Sequence, residues 1–232
     1  MGTDDYFLDR SEIPFGPDGT QNFEDLEAID VELFNSHLRD LLDGKPVDIP
    51  RFDFGLGKKV FGERIVTASP NQPIVVEGIH GLNDALTPQF TADEKFKIYI
   101  SPLTQLRVND HKRVALTDIR KIRRIVRDAN FRGWDAKQTI EAWPKVREGE
   151  DKNIFPYSQK ADAIFNSCLL YELCALKKYA KPLLEAIPQD DECFTEAHRL
   201  IHMLNYVKEL PDDRPIVSDS ILREFIGGSI IV

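Results

Sequence analysis

The string PIVVEGIHGLN, residues 73–83, constrains the fold of this 232-residue chain more than any other stretch. Ile74, Val75 and Val76 form a β-branched run with no polar residue between them. Uninterrupted apolar runs of this length suit a strand of a parallel sheet that is covered on both faces. The run ends at a carboxylate, Glu77, with Gly78 directly after it. A carboxylate at the end of a buried strand is costly unless it is paired or lies near a metal, so Glu77 is a candidate site residue.

The rest of the chain predicts an α/β fold with a mainly parallel sheet, because strand-like runs alternate with helix-like ones. TDDYFL reads as a short strand running into a turn, and PFGPDGTQNF as a loop rich in Gly, Pro and Asp. DVELFNSHLRDLLDG has apolar residues at helical spacing and a glycine, Gly44, where a helix should stop. VDIPRFDFGLGKKV is extended and irregular, and KFKIYIS is a second strand. Helices are expected over about 118–129, 135–144, 158–186 and 191–208. A short strand or turn and a brief closing segment follow, ended by Gly227 and Gly228.

Composition narrows the class. Hydrophobic residues make up 42% and charged residues 30%, a globular mixture able to bury a core. No apolar run reaches the roughly 18 residues of a membrane span. The N-terminal MGTDDYFLDR is acidic and polar, unlike a secretory signal. Cys168, Cys174 and Cys193 lack metal or redox spacing and read as reduced thiols of a cytoplasmic protein.

Charge is unevenly spread. Residues 107–147 hold twelve Lys and Arg against five Asp and Glu, a net +7, so the remainder of a −9 chain carries −16. A basic island in an acidic chain suits a local anionic ligand. On a helix, Arg120, Arg124 and Arg127 fall within about 60° of one another, opposite Ile119, Ile122, Ile125 and Val126. Guanidiniums grouped in this way can grip phosphate oxygens, and Arg132 follows just beyond. The plainer reading is an ion-paired surface helix with Asp118 and Asp128 as partners. RNA binding is the weaker option, since no aromatics interleave with these arginines.

In TDDYF, adjacent aspartates on a strand would face opposite ways, so one could meet a substrate hydroxyl as general base. A turn or cap is the plainer alternative. His198 and His202 have metal-ligand spacing on a helix but no third ligand, and read as face residues. GLGKK at 55–59 lacks the spacing of a phosphate loop.

In order along the chain, TDDYFLDR, NFEDLEAID, IPRFDF, IVVEGIHGLN, RRIVRDANFRG, NIFPYSQKADAIFNS and ILREFIGGS resemble the uridine kinase and phosphoribulokinase family of P-loop kinases. The later strings look most like a bacterial uridine-kinase-like subgroup. The resemblance implies a P-loop NTPase-like sheet with flanking helices and a helical lid. It implies ATP as co-substrate, Mg²⁺, and a nucleoside or related small hydroxyl compound as acceptor. Asp4 then matches the catalytic base, Glu77 the acid that organises Mg²⁺, and Glu24 the residue on the ribose hydroxyls. Arg124, Arg127 and Arg132 match lid arginines on substrate and triphosphate. Phe52 and Gly57 stand where the family has the Tyr and His that read the base, and Trp134 replaces an arginine, so uridine itself is in doubt.

The family's phosphate loop, G-x-x-x-x-G-K-[ST], occurs nowhere in the sequence. The expectation is a single truncated kinase domain, residues 1–232, with its first strand and phosphate loop missing. A basic lid would lie around 107–157 and a helical part over 158–232. By itself such a chain is expected to bind MgATP weakly, to be inactive as a kinase and to self-associate through an exposed sheet. The alternative is a non-catalytic ligand- or partner-binding module that keeps the kinase fold.

Overall fold

The computed structural model describes residues 1–15, 19, 21–103, 106–107 and 113–231. It divides into two compact units: Met1–Tyr99 with Val146–Ala163, and Ile100–Lys145 with Ile164–Val232. The expected lid segment falls partly outside the described residues, at 108–112.

In the first unit, helix α1 (Val31–Leu42) starts where Asp30 accepts a hydrogen bond from the Leu33 amide, capping a free donor. It stops at Gly44, which takes the left-handed φ of 73° that glycine adopts without strain. Strand β1 (Val47–Asp48) pairs antiparallel with β4 (Ile65–Val66). Strand β2 (Arg51–Asp53) pairs antiparallel with β3 (Lys58–Val60). GLGKK therefore belongs to a hairpin turn and its return strand, where no helix begins to cradle a phosphate. Tyr6, Phe34, Leu41, Val47, Phe52 and Leu86 are among the core residues here.

Strands β5 (Ile98–Ser101) and β6 (Ala163–Asn166) form a third two-stranded sheet. Lys97 bonds to residues 162 and 163 and Ser101 to 167, so the two strands run parallel. The chain is a mixed α/β protein, with a parallel pair beside two antiparallel ones.

The second unit packs α2 (Leu116–Phe131), α5 (Glu172–Glu185), α6 (Phe194–Asn205) and the short α7 (Arg223–Ile226) around one core. Ile119, Ile122, Ile125 and Val126 are fully buried, as the helical spacing predicts. Each such burial contributes roughly 1.5–3 kcal/mol. Helix α3 (Ala136–Asn153) and the turn α4 (Phe155–Ser158) complete the elements.

Three local expectations are corrected. The helix expected over 158–186 is interrupted by β6, because AIFN is β-branched and aromatic and pairs with β5. Thr3–Tyr6 is a turn of 3₁₀ helix, not a strand. The IVV run is not covered on both faces: Ile74 and Val76 pack on the first unit's core, while Val75 is 71% exposed. Among the described residues its ladder is limited to Met1–Thr3, so only one side of the run gains cover.

Candidate functional site

The acidic corner of the first unit is built by pairing Met1–Thr3 with Val75–Glu77. The Glu77 amide donates to the Met1 carbonyl at 3.0 Å, and the Thr3 amide donates to the Glu77 carbonyl at 2.9 Å. The terminal ammonium donates to the Val75 carbonyl at 2.7 Å. This parallel bridge sets the turn carrying Asp4 and Asp5 beside the end of the IVVE segment.

Gly78 explains why glycine follows the acid. Its φ is 141°, and a Cβ there would lie 1.8 Å from Thr3 Oγ1. Any side chain would force Thr3 out of its buried seat and break the pairing that orients Glu77.

Among the described residues the Glu77 carboxylate makes no side-chain hydrogen bond or ion pair. Partial burial, followed by the charge of Asp4, pushes its pKa above the usual carboxylate range. The terminal ammonium opposes that shift and Asp5 adds to it. Asp5 is itself held by Arg64 at 2.6 Å. A cation would relieve the repulsion between Asp4 and Glu77. Among the described residues no cluster of three ligating side chains occurs.

Glu24 is half-buried on the segment before α1. Its carbonyl accepts from Asn153 Nδ2 at 2.6 Å, and Lys152 pairs with Asp25 at 2.5 Å. Gly149 leaves room for the Glu24 side chain, since a Cβ there would lie 3.3 Å from Glu24 Cβ and Oε2. Phe52 is buried in a T-shaped aromatic cluster, 5.5 Å from Phe7 and 5.1 Å from Phe54 between centroids. It offers an apolar wall and no hydrogen bond. At Gly57, φ is 66° and a Cβ would lie 2.9 Å from Arg10 Cβ, so the Arg10 side chain fills the space of any residue there.

His80 is a residue that the motif reading passed over. It is 1% exposed, and among the described residues neither ring nitrogen has a partner of full hydrogen-bond geometry, although the Glu24 backbone lies near enough to act on the ring. Burial lowers its pKa below that of an ordinary histidine, against the opposing pull of Asp25 and the Glu24 backbone. Its only signal in the sequence was a polar ring inside an otherwise apolar and glycine-rich string.

The second unit gathers the arginines. Asp128 is fully buried, with Arg124 Nε at 3.2 Å, Arg132 at 3.4 Å and Arg127 Nε at 3.8 Å from its carboxylate. Arg127 also reaches Glu224 at 3.4 Å. Asp118, the other expected partner, is held instead by Arg199 on α6 at 2.6 Å. Arg123 is buried against Glu172 and donates to the Ser167 carbonyl at 2.8 Å. His198 stacks on Phe194 and His202 meets Tyr206 edge-on, one helical turn apart in each case.

The sequence profile of the Phosphoribulokinase / Uridine kinase family matches residues 17–171. The chain belongs to this family. It is 30% identical to a uridine kinase of Deinococcus deserti over 168 residues, 71% of each chain. It is 31% identical to a uridine kinase of Clostridium botulinum over 162 residues, 69% of this chain and 70% of that one. A uridine kinase of Bacillus subtilis is 29% identical over 160 residues, 68% of this chain and 67% of the other. No helix among the described residues is long and apolar enough to cross a membrane.

Proposed function

We propose that this chain carries the acceptor side and the lid of an ATP- and Mg²⁺-dependent phosphotransferase acting on a hydroxyl of a nucleoside or related small compound. The phosphate loop that such an enzyme uses is not among these 232 residues. The observation that carries this reading is the pairing of Met1–Thr3 with Val75–Glu77, which brings the turn bearing Asp4 to the Glu77 end of that segment. In this reading Asp4 takes the proton of the attacking hydroxyl, which is general-base catalysis. Glu77 orients a hydrated Mg²⁺, and the ion when bound neutralises charge on the transferring phosphoryl group. Glu24 hydrogen-bonds acceptor hydroxyls, and Phe52 forms an apolar wall. Arg124, Arg127 and Arg132 act on the phosphates.

Phe52 is apolar, and at Gly57 the side chain that fills the space is Arg10, whose guanidinium donates to the Phe54 carbonyl. The acceptor is accordingly selected by its hydroxyls more than by its base. The test is turnover of ATP with a panel of nucleosides and polyols, using the chain joined to a phosphate-loop segment. Asp4→Asn should lower kcat by roughly 10²- to 10⁴-fold with an unchanged melting temperature. Turnover equal to wild type would remove Asp4 from the mechanism. A complete absence of phosphoryl transfer across the panel would favour the non-catalytic binding module.

A further inference from the structure

We propose that Asp128 is a positioning residue that holds the guanidiniums of Arg124, Arg127 and Arg132 as one preset clamp for polyphosphate. The inference rests on the phosphate role given to those arginines above. Asp128 Oδ2 accepts from Arg124 Nε at 3.2 Å and from Thr139 Oγ1 at 3.3 Å. Oδ1 meets Arg132 at 3.4 Å and Arg127 at 3.8 Å as ion contacts. The Asp128 carbonyl accepts from the amides of Arg132 at 2.9 Å and Trp134 at 3.2 Å. One residue therefore closes the end of α2 and also gathers three side chains. Gly133, at φ 66°, provides the turn that follows Arg132.

Charge matching alone does not account for the arrangement. Among the described residues Asp128 meets all three guanidiniums, and Glu224 meets that of Arg127 at 3.4 Å. The side chains of Arg124, Arg127 and Arg132 keep 21%, 29% and 50% exposure. Asp128 itself is wholly buried, so it orients the arginines without occupying the solvent-facing side where an anion arrives. Long side chains fixed before binding lose less freedom when the ligand is engaged.

Positioning and simple neutralisation predict opposite signs, which makes the test direct. Inorganic tripolyphosphate is titrated calorimetrically into the full chain, well below the melting temperature of each variant. Asp128→Asn removes a negative charge, so neutralisation alone predicts tighter binding. Positioning predicts a roughly tenfold weaker affinity despite the added positive charge. Asp128→Glu keeps the charge, shifts it by one methylene and decides the matter if Asp128→Asn does not fold. Positioning predicts that it too binds more weakly, and a purely structural acid predicts no change. Arg127→Ala and Arg132→Ala are run alongside. If they weaken binding while the folded Asp128 variants bind as wild type or tighter, the positioning role is wrong and the phosphate reading stands. If the arginine variants bind as wild type, the phosphate reading of the lid fails and this inference fails with it.

Discussion

The acidic corner of the first unit and the basic helix of the second treat charge in opposite ways. Along α2 and just beyond it, buried carboxylates meet the arginines: Glu172 meets Arg123, and Asp128 meets Arg124, Arg127 and Arg132. At the corner, Glu77 lies beside another carboxylate, and its pKa is raised by burial and by that neighbour. Buried Arg123 is given a carboxylate of opposite charge, whereas Glu77 carries an electrostatic cost in the absence of a cation. The contrast teaches that a count of basic residues is a poor guide to a site. Within the basic island Lys121, Arg123 and Arg147 are tied to acids of the protein itself, and the more telling group is a single acid whose charge is opposed.

The largest expected effect breaks the structural half of this comparison. Glu172→Ala leaves the Arg123 guanidinium buried without its ion pair, keeping the Ser167 contacts and the face of the Phe225 ring. The loss should be roughly 3–5 kcal/mol, read as a lower urea midpoint with an unchanged slope. A loss below about 1 kcal/mol would mean that Arg123 finds water or another acceptor, and that α2 is less dependent on its internal carboxylates than the geometry says.

Next in size is Gly78→Ala, which acts on the corner. The φ of 141° alone should cost roughly 1–3 kcal/mol, and the overlap with Thr3 adds to it. Thr3→Ala in the same chain should recover the part due to the Thr3 hydroxyl, which stands 1.8 Å from the added Cβ, and leave the backbone part. Full recovery would show that Gly78 is required only for space.

The smallest effect is the most specific to the corner. Because the Glu77 pKa is raised in the folded state, the native chain holds a proton there more firmly than the unfolded chain does. Glu77 therefore opposes folding little below its unfolded value of 4.5, and opposes it increasingly as pH rises through the folded value. Glu77→Gln should give a small gain in stability at neutral pH that vanishes towards pH 4, and added Mg²⁺ should stabilise wild type but not the variant. Equal stability of the two chains at pH 7 and pH 4, with and without Mg²⁺, would remove the contrast between the two regions.

Much of this molecule was legible in the sequence where neighbours along the chain decide the outcome. The span of α1, its Asp30 cap and its stop at Gly44 follow from local spacing and local hydrogen bonds. The apolar stripe of α2 was legible for the same reason, because a helical period places Ile119, Ile122, Ile125 and Val126 together wherever the helix packs. The order of motifs also sufficed for the family, which needs only the chain's own alignment with its relatives. The partners of charges were decided by tertiary structure. Asp118 and Asp128 look equivalent on the helix, yet one goes to Arg199, 81 residues away, and the other gathers three arginines beside it. The IVV run reads the same whether one face or two are covered, since that depends on which backbone lies alongside it. His80 was hidden within its own motif, because burial of a polar ring is a property of the elements packed around it. Local preference acts over a turn or two, whereas burial and electrostatic pairing depend on distances that only the folded chain sets.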